Sequence, residues 1–156
     1  MSYIKKVYQR LLVIGLAIFY VGCSSSLSGS LFKPATDIPS DKSIIYLYRP
    51  DTGHTTEFTI KYNNMEICIL ESGGYFPFFA EEGKVAISSS VNFKMFSTGL
   101  LVLAFSGSTD LVFEAEPGKS YYIECRGHQE LTKKLVPENY GITDIKVCRL
   151  LEPISP

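Results

Sequence analysis

Hydrophobic and polar positions divide the chain into one unbroken apolar run near its start and a series of short segments of period two after residue 42. Leu11 to Gly22 is apolar throughout apart from Tyr20. At twelve residues the run is too short for a membrane-spanning helix, which needs about 20. It has the length of a signal-peptide core, and Lys5, Lys6 and Arg10 before it, with no acidic residue, supply the positive flank. Residues 1–22 are therefore expected to be an export signal that is removed.

The later segments predict strands. Ile44 to Tyr48 is a β-branched and aromatic run closed by Pro50, Asp51, Thr52 and Gly53, hence a core strand and a turn. Glu57 to Tyr62 alternates, and Asn63 with Asn64, which tolerate positive φ, join it to Met65 to Leu70 as a hairpin. Tyr75 to Ala80 follows the break at Ser72, Gly73 and Gly74, and Pro77 inside it predicts an edge strand. Lys84 to Val91, Leu111 to Glu116 and Ser120 to Arg126 continue the series, the last pair joined through Pro117, Gly118 and Lys119. Glu130 to Val136 suits a strand or a short helix stopped by Pro137. Glu138 to Leu151 fits a helical face through Ile142, Ile145 and Arg149, or a strand through Ile145 and Val147. Turn signals at this spacing predict an all-β chain: one antiparallel β-sandwich of seven or eight strands, immunoglobulin-like or related, with at most one short C-terminal helix.

One block stands apart. Leu100 to Phe105 is wholly apolar and flanked by Ser97, Thr98, Ser106, Gly107 and Ser108. It suits a core strand or core-facing loop, or else an exposed lip in which Leu101, Leu103 and Phe105 meet a hydrophobic ligand or a partner.

Composition supports strands, with ten Tyr, ten Phe and no Trp. Removing residues 1–22 lowers Lys+Arg from 15 to 12 against 16 Asp+Glu, a net charge near −4, and this excludes a nucleic-acid binder. Cys68, Cys125 and Cys148 would remain beside Cys23 in a compartment that permits disulfides, so at most one bridge forms among three pairings, or all three stay buried thiols.

Tyr20, Val21, Gly22 and Cys23 resemble the lipobox of bacterial lipoprotein precursors, although Tyr20 stands where an aliphatic residue is usual. The resemblance implies lipidation at Cys23, and Ser24 beside it resembles the sorting pattern for the outer rather than the inner membrane. Ser24 to Ser30, continued by Phe32 to Asp41 with Pro34 and Pro39, is expected to be an extended tether, giving a signal over 1–22, an anchor and tether over 23–41 and a sandwich over 42–156. Two anchoring acyl signals make detachment negligible where one is reversible.

Ile45 to Pro50, Ser72 to Tyr75 and Pro117 to Ile123 together resemble the bacterial lipoprotein family with domain of unknown function 2846. Its members pair a first strand of the Tyr-x-Tyr-Arg-Pro kind with a central Gly-Gly-Tyr and a late Gly-Lys-x-Tyr-Tyr. The apolar block around Leu100 departs from that pattern. The resemblance implies an extracytoplasmic sandwich with no established activity.

Chemistry is sparsely signalled. His54 and His128 lie far apart, and no closely spaced ligand set marks a metal site. Cys125 and His128 fall on opposite faces of an extended strand, which argues against a thiol and base pair. No catalytic residue, metal or cofactor is assigned. The candidate binding face comprises Tyr48, Tyr122 and Arg49 together with Leu101, Leu103 and Phe105, while the simpler reading puts the tyrosines in the core and Arg49 in a strand-end ion pair. The expected partners are the membrane, through the lipid, and an envelope protein or a hydrophobic ligand. A hydrolytic enzyme is the further alternative.

Overall fold

The computed structural model describes residues 27–92 and 110–154. Cys23, residues 1–22, which the sequence reads as an export signal, and the Leu100 to Phe105 block lie outside the described residues. Among the described residues nine strands form two sheets. They are β1 (Lys42–Tyr48), β2 (Glu57–Tyr62), β3 (Met65–Leu70), β4 (Gly74–Glu81), β5 (Gly83–Asn92), β6 (Leu111–Ala115), β7 (Ser120–Arg126), β8 (Thr132–Val136) and β9 (Arg149–Leu150), with one helix, α1 (Glu138–Ile145), before the last. One sheet has the order β8-β7-β1-β4-β9 and the other β3-β2-β5-β6. The fold is a β-sandwich.

Two of the pairings are parallel, β1 with β7 and β4 with β9, so the sandwich is not wholly antiparallel. The chain reaches β7 only after building the whole second sheet, and a returning strand can then lie parallel to β1.

Side-chain parity on β1 explains the layering. Ile45 and Leu47 point between the sheets, where they pack with Phe58, Ile60, Val85, Ile87 and Ile123. Ile44, Tyr46 and Tyr48 point to the outer face of the five-stranded sheet, yet they are buried too. A second core covers them, formed by Phe32, Tyr75, Tyr122, Ile145 and Cys148. Strands buried on both faces carry continuous apolar runs, which is why β1 lacks alternation.

That outer core corrects the expected tether. From Leu27 onward the chain lies on the domain: Leu31 bridges to Arg149, the Leu150 amide donates to the Ser30 carbonyl at 2.9 Å, and the Ala35 amide donates to the Tyr46 hydroxyl at 2.7 Å. Phe32 meets Tyr46, Tyr75 and Tyr122 edge-on, with centroids 5.2, 5.4 and 6.4 Å apart. Composition gave residues 32–41 the look of a linker, but an exposed tyrosine-rich sheet face is a better place for Phe32 than water.

Asn63 and Asn64 take φ of 46° and 68°, and the hairpin forms as its sequence requires. Pro77 is an edge residue in effect, because β9 covers only Gly74 and Tyr75 of β4. Residues 132–136 are a strand, and the ambiguous C-terminal stretch divides into α1 and β9. Helix α1 follows Pro137, carries Glu138 in its first turn as the helix dipole favours, and buries Gly141 and Ile145.

Gly141 sets how closely α1 approaches β7. A Cβ there would stand 2.3 Å from Cβ of Tyr122. Alanine ordinarily favours a helix over glycine by about 1 kcal/mol. Here Gly141→Ala is expected to destabilise by about 1–3 kcal/mol through overpacking, read from urea unfolding midpoints.

Candidate functional site

One end of the sandwich gathers the groups that need explanation. Strands β1 and β7 run parallel, with Tyr48 opposite Glu124, so the loops that follow them leave at the same end. The β3–β4 turn and the start of β2 lie there as well, since β4 is antiparallel to β1 and pairs Tyr75 with Tyr48.

Arg49 ties this end together. Period two places it on the same face as Ile45 and Leu47, so its side chain enters the inter-sheet core, and the residue is fully buried. Its Nη1 donates to the Thr56 carbonyl at 2.5 Å and its Nη2 to the Gly127 carbonyl at 2.7 Å. The guanidinium lies 5.1 Å from the Phe58 ring centroid, a cation–π contact. Among the described residues no carboxylate pairs with the charge, and burial lowers its pKa below the usual guanidinium range. Among the described residues Nε finds no hydrogen-bond partner. The strand-end ion pair expected for Arg49 is therefore replaced by two backbone carbonyls and an aromatic face, because the side chain points inward, away from the surface carboxylates.

The two carbonyls belong to different loops, β1–β2 and β7–β8. Gly127 has φ of 133°, and a Cβ on it would lie 1.8 Å from the Glu130 carbonyl oxygen, so glycine is required where the loop presents its carbonyl to Arg49. Beyond these anchors the loops bring His54 and His128 into contact. Their ring centroids are 5.1 Å apart with the planes at 25°, and both residues are exposed. His128 thus stacks on His54, while Cys125 points into the core with its thiol toward the Ile123 carbonyl.

A second buried cation lies between the sheets. Lys133 on β8 donates to the Ser89 hydroxyl at 2.9 Å and to the Leu131 carbonyl at 3.3 Å, and burial lowers its pKa.

Tyr48 and Tyr122 do not form a surface for a ligand. Tyr48 is fully buried, its hydroxyl without a hydrogen-bond partner among the described residues, and Tyr122 is stacked on Tyr46 at 5.1 Å. Both belong to the outer core, and with Arg49 inside the sandwich the three expected face residues are all withdrawn from solvent. Leu101, Leu103 and Phe105 lie outside the described residues. The thiols of Cys68, Cys125 and Cys148 are free and buried. Cys68 and Cys125 face the inter-sheet core and Cys148 the outer one, so the first sheet separates Cys148 from the other two.

Signals for this end were uneven. Parity along Ile45, Leu47 and Arg49 marks Arg49 as inward-pointing, whereas nothing local brings His54 to His128 or Ser89 to Lys133. A groove of about 410 Å³ lies beside the N-terminal segment, lined by Leu27, Ile69, Glu71, Leu150, Pro153 and Ile154 among others, and His128 is not part of it. Among the described residues no helix is long and apolar enough to cross a membrane. Comparison with known families gives no matching family model, and comparison with curated proteins and solved structures gives no match either.

Arg49→Lys keeps the charge but loses the fork that reaches two carbonyls. It is expected to cost about 1.5–3 kcal/mol and to speed amide exchange in both loops, measured by hydrogen–deuterium exchange.

Burial pushes the Cys125 thiol from 9.0 up to about 12, against small opposing pulls from Lys133 and Arg49, and pushes Cys148 up to about 11. The unfolded chain ionises these thiols near their ordinary value while the folded chain keeps them protonated. Their contribution is complete below about pH 9 and falls as pH rises toward 12, at about 1.4 kcal/mol per pH unit for Cys125 alone. Lys133, whose ammonium is disfavoured by burial, works in the opposite sense. Urea midpoints should therefore drop from pH 8 to pH 10.5, and more steeply in Lys133→Met.

Proposed function

We propose that this chain is a bacterial envelope lipoprotein whose β-sandwich serves as a non-catalytic binding or assembly module facing the periplasm. In this reading residues 1–22 direct export and are removed, and Cys23 carries the lipid at the outer membrane. The likeness to the lipoprotein family with domain of unknown function 2846 belongs to the same proposal.

The pattern that ends in Cys23 carries the reading, and the placement of Leu27 gives it a geometric consequence. Leu27 already packs against the core, so only residues 24–26 separate it from the lipidated position. The four residue steps from Cys23 to Leu27 span at most about 14 Å. The domain would sit against the bilayer instead of ranging on a long tether. Leu27 lies beside Gly73 and Asp51, at the Arg49 end, which becomes the membrane-proximal one. The turns at Asn63–Asn64, Glu81–Gly83 and Pro117–Lys119 then face away and are the surface presented to a partner. A weak binder held at a surface acts at high effective concentration, so tethering substitutes for intrinsic affinity.

Intact mass of the membrane fraction tests the reading. The expected species lacks residues 1–22 and carries added acyl mass, and Cys23→Ser abolishes both the acylation and the membrane association. A soluble, unacylated wild-type chain would overturn it.

A further inference from the structure

The loops that Arg49 joins carry both histidines of the chain. We propose that His54 and His128 form a site for a divalent transition-metal ion of the zinc class.

The spacing suits chelation. A ring centre lies about 1.1 Å behind its ligating nitrogen and Zn–N is about 2.0–2.1 Å, so two imidazoles on one tetrahedral ion have centroids about 5 Å apart. The observed separation is 5.1 Å. The rings are 25° from parallel, so bringing both nitrogens onto one ion takes a rotation about χ2, which exposed side chains allow.

The pair is also positioned in advance. Arg49 holds the Thr56 carbonyl two residues after His54 and the Gly127 carbonyl immediately before His128. The ordering of two loops distant in sequence is thus met by the fold and not by the ion. Imidazole ligands select borderline ions such as Zn²⁺, Ni²⁺ and Cu²⁺ over Ca²⁺ and Mg²⁺. Among the described residues no group of three or more His, Cys, Asp or Glu side chains surrounds one point, so water or an incoming ligand completes the coordination. An ion held by two protein ligands keeps open positions, as binding sites for exchangeable groups do. The inference is independent of the lipid anchor, because the loops are the same in an anchored or a soluble chain.

Calorimetric titration of the full chain in detergent with ZnCl₂, in metal-free buffer near about pH 7.5, is expected to show one ion per chain. His54→Ala and His128→Ala should each weaken binding at least tenfold, with the metal-free unfolding midpoint unchanged. CaCl₂ should give no saturable heat. If an alanine variant loses its fold, His54→Gln and His128→Gln carry the same test. Absence of saturable zinc binding, or wild-type affinity in both single variants, would overturn the proposal.

Discussion

Burial of β1 on both of its faces is the constraint from which the remaining architecture follows. A strand in the middle of a sheet with Ile45 and Leu47 on one side and Ile44, Tyr46 and Tyr48 on the other needs two separate covers. The second sheet supplies the first. The other comes from α1 and the N-terminal segment, which share no sheet but converge on the same tyrosines. Edge-on aromatic pairs contribute about 0.5–1.5 kcal/mol each beyond area burial, and Phe32 makes three of them. The segment from Leu27 to Phe32 is in this way a structural part of the domain.

Where β1 ends, the same parity sends a guanidinium into the core. A buried charge without a counter-ion is costly unless its donors are satisfied. Arg49 meets that condition in part, through two carbonyls and the face of Phe58, while Nε has no partner among the described residues. Because those carbonyls lie on loops far apart in sequence, the charge fixes the shape of one whole end of the molecule. The nearness of His54 to His128 follows from that arrangement.

Much of the sandwich was legible in the sequence because strand signals are local. Alternation from Glu57 to Tyr62, the Asn63–Asn64 turn and the Pro-Gly-Lys turn before Ser120 each depend on neighbours within a few residues. Residues 32–41 misled for the converse reason: Pro and polar composition describe a linker, and only the waiting tyrosine face makes Phe32 a core residue. Lys133 was equally hidden, since the segment around it is polar and its partner Ser89 lies on the opposite sheet. Of the candidate face, Tyr48 and Tyr122 are buried in the outer core and Arg49 is buried between the sheets.

By itself the sequence determined the class of fold and the turns that punctuate it, and it supplies the resemblance on which the proposed location rests. These rest on periodicity, on turn residues with restricted φ and ψ, and on a short contiguous motif. Tertiary structure alone decided the strand order, the parallel pairing of β1 with β7, the second core and the meeting of the two histidines. Each is a contact between residues distant along the chain, and no local preference encodes which of several compatible strands will lie beside which.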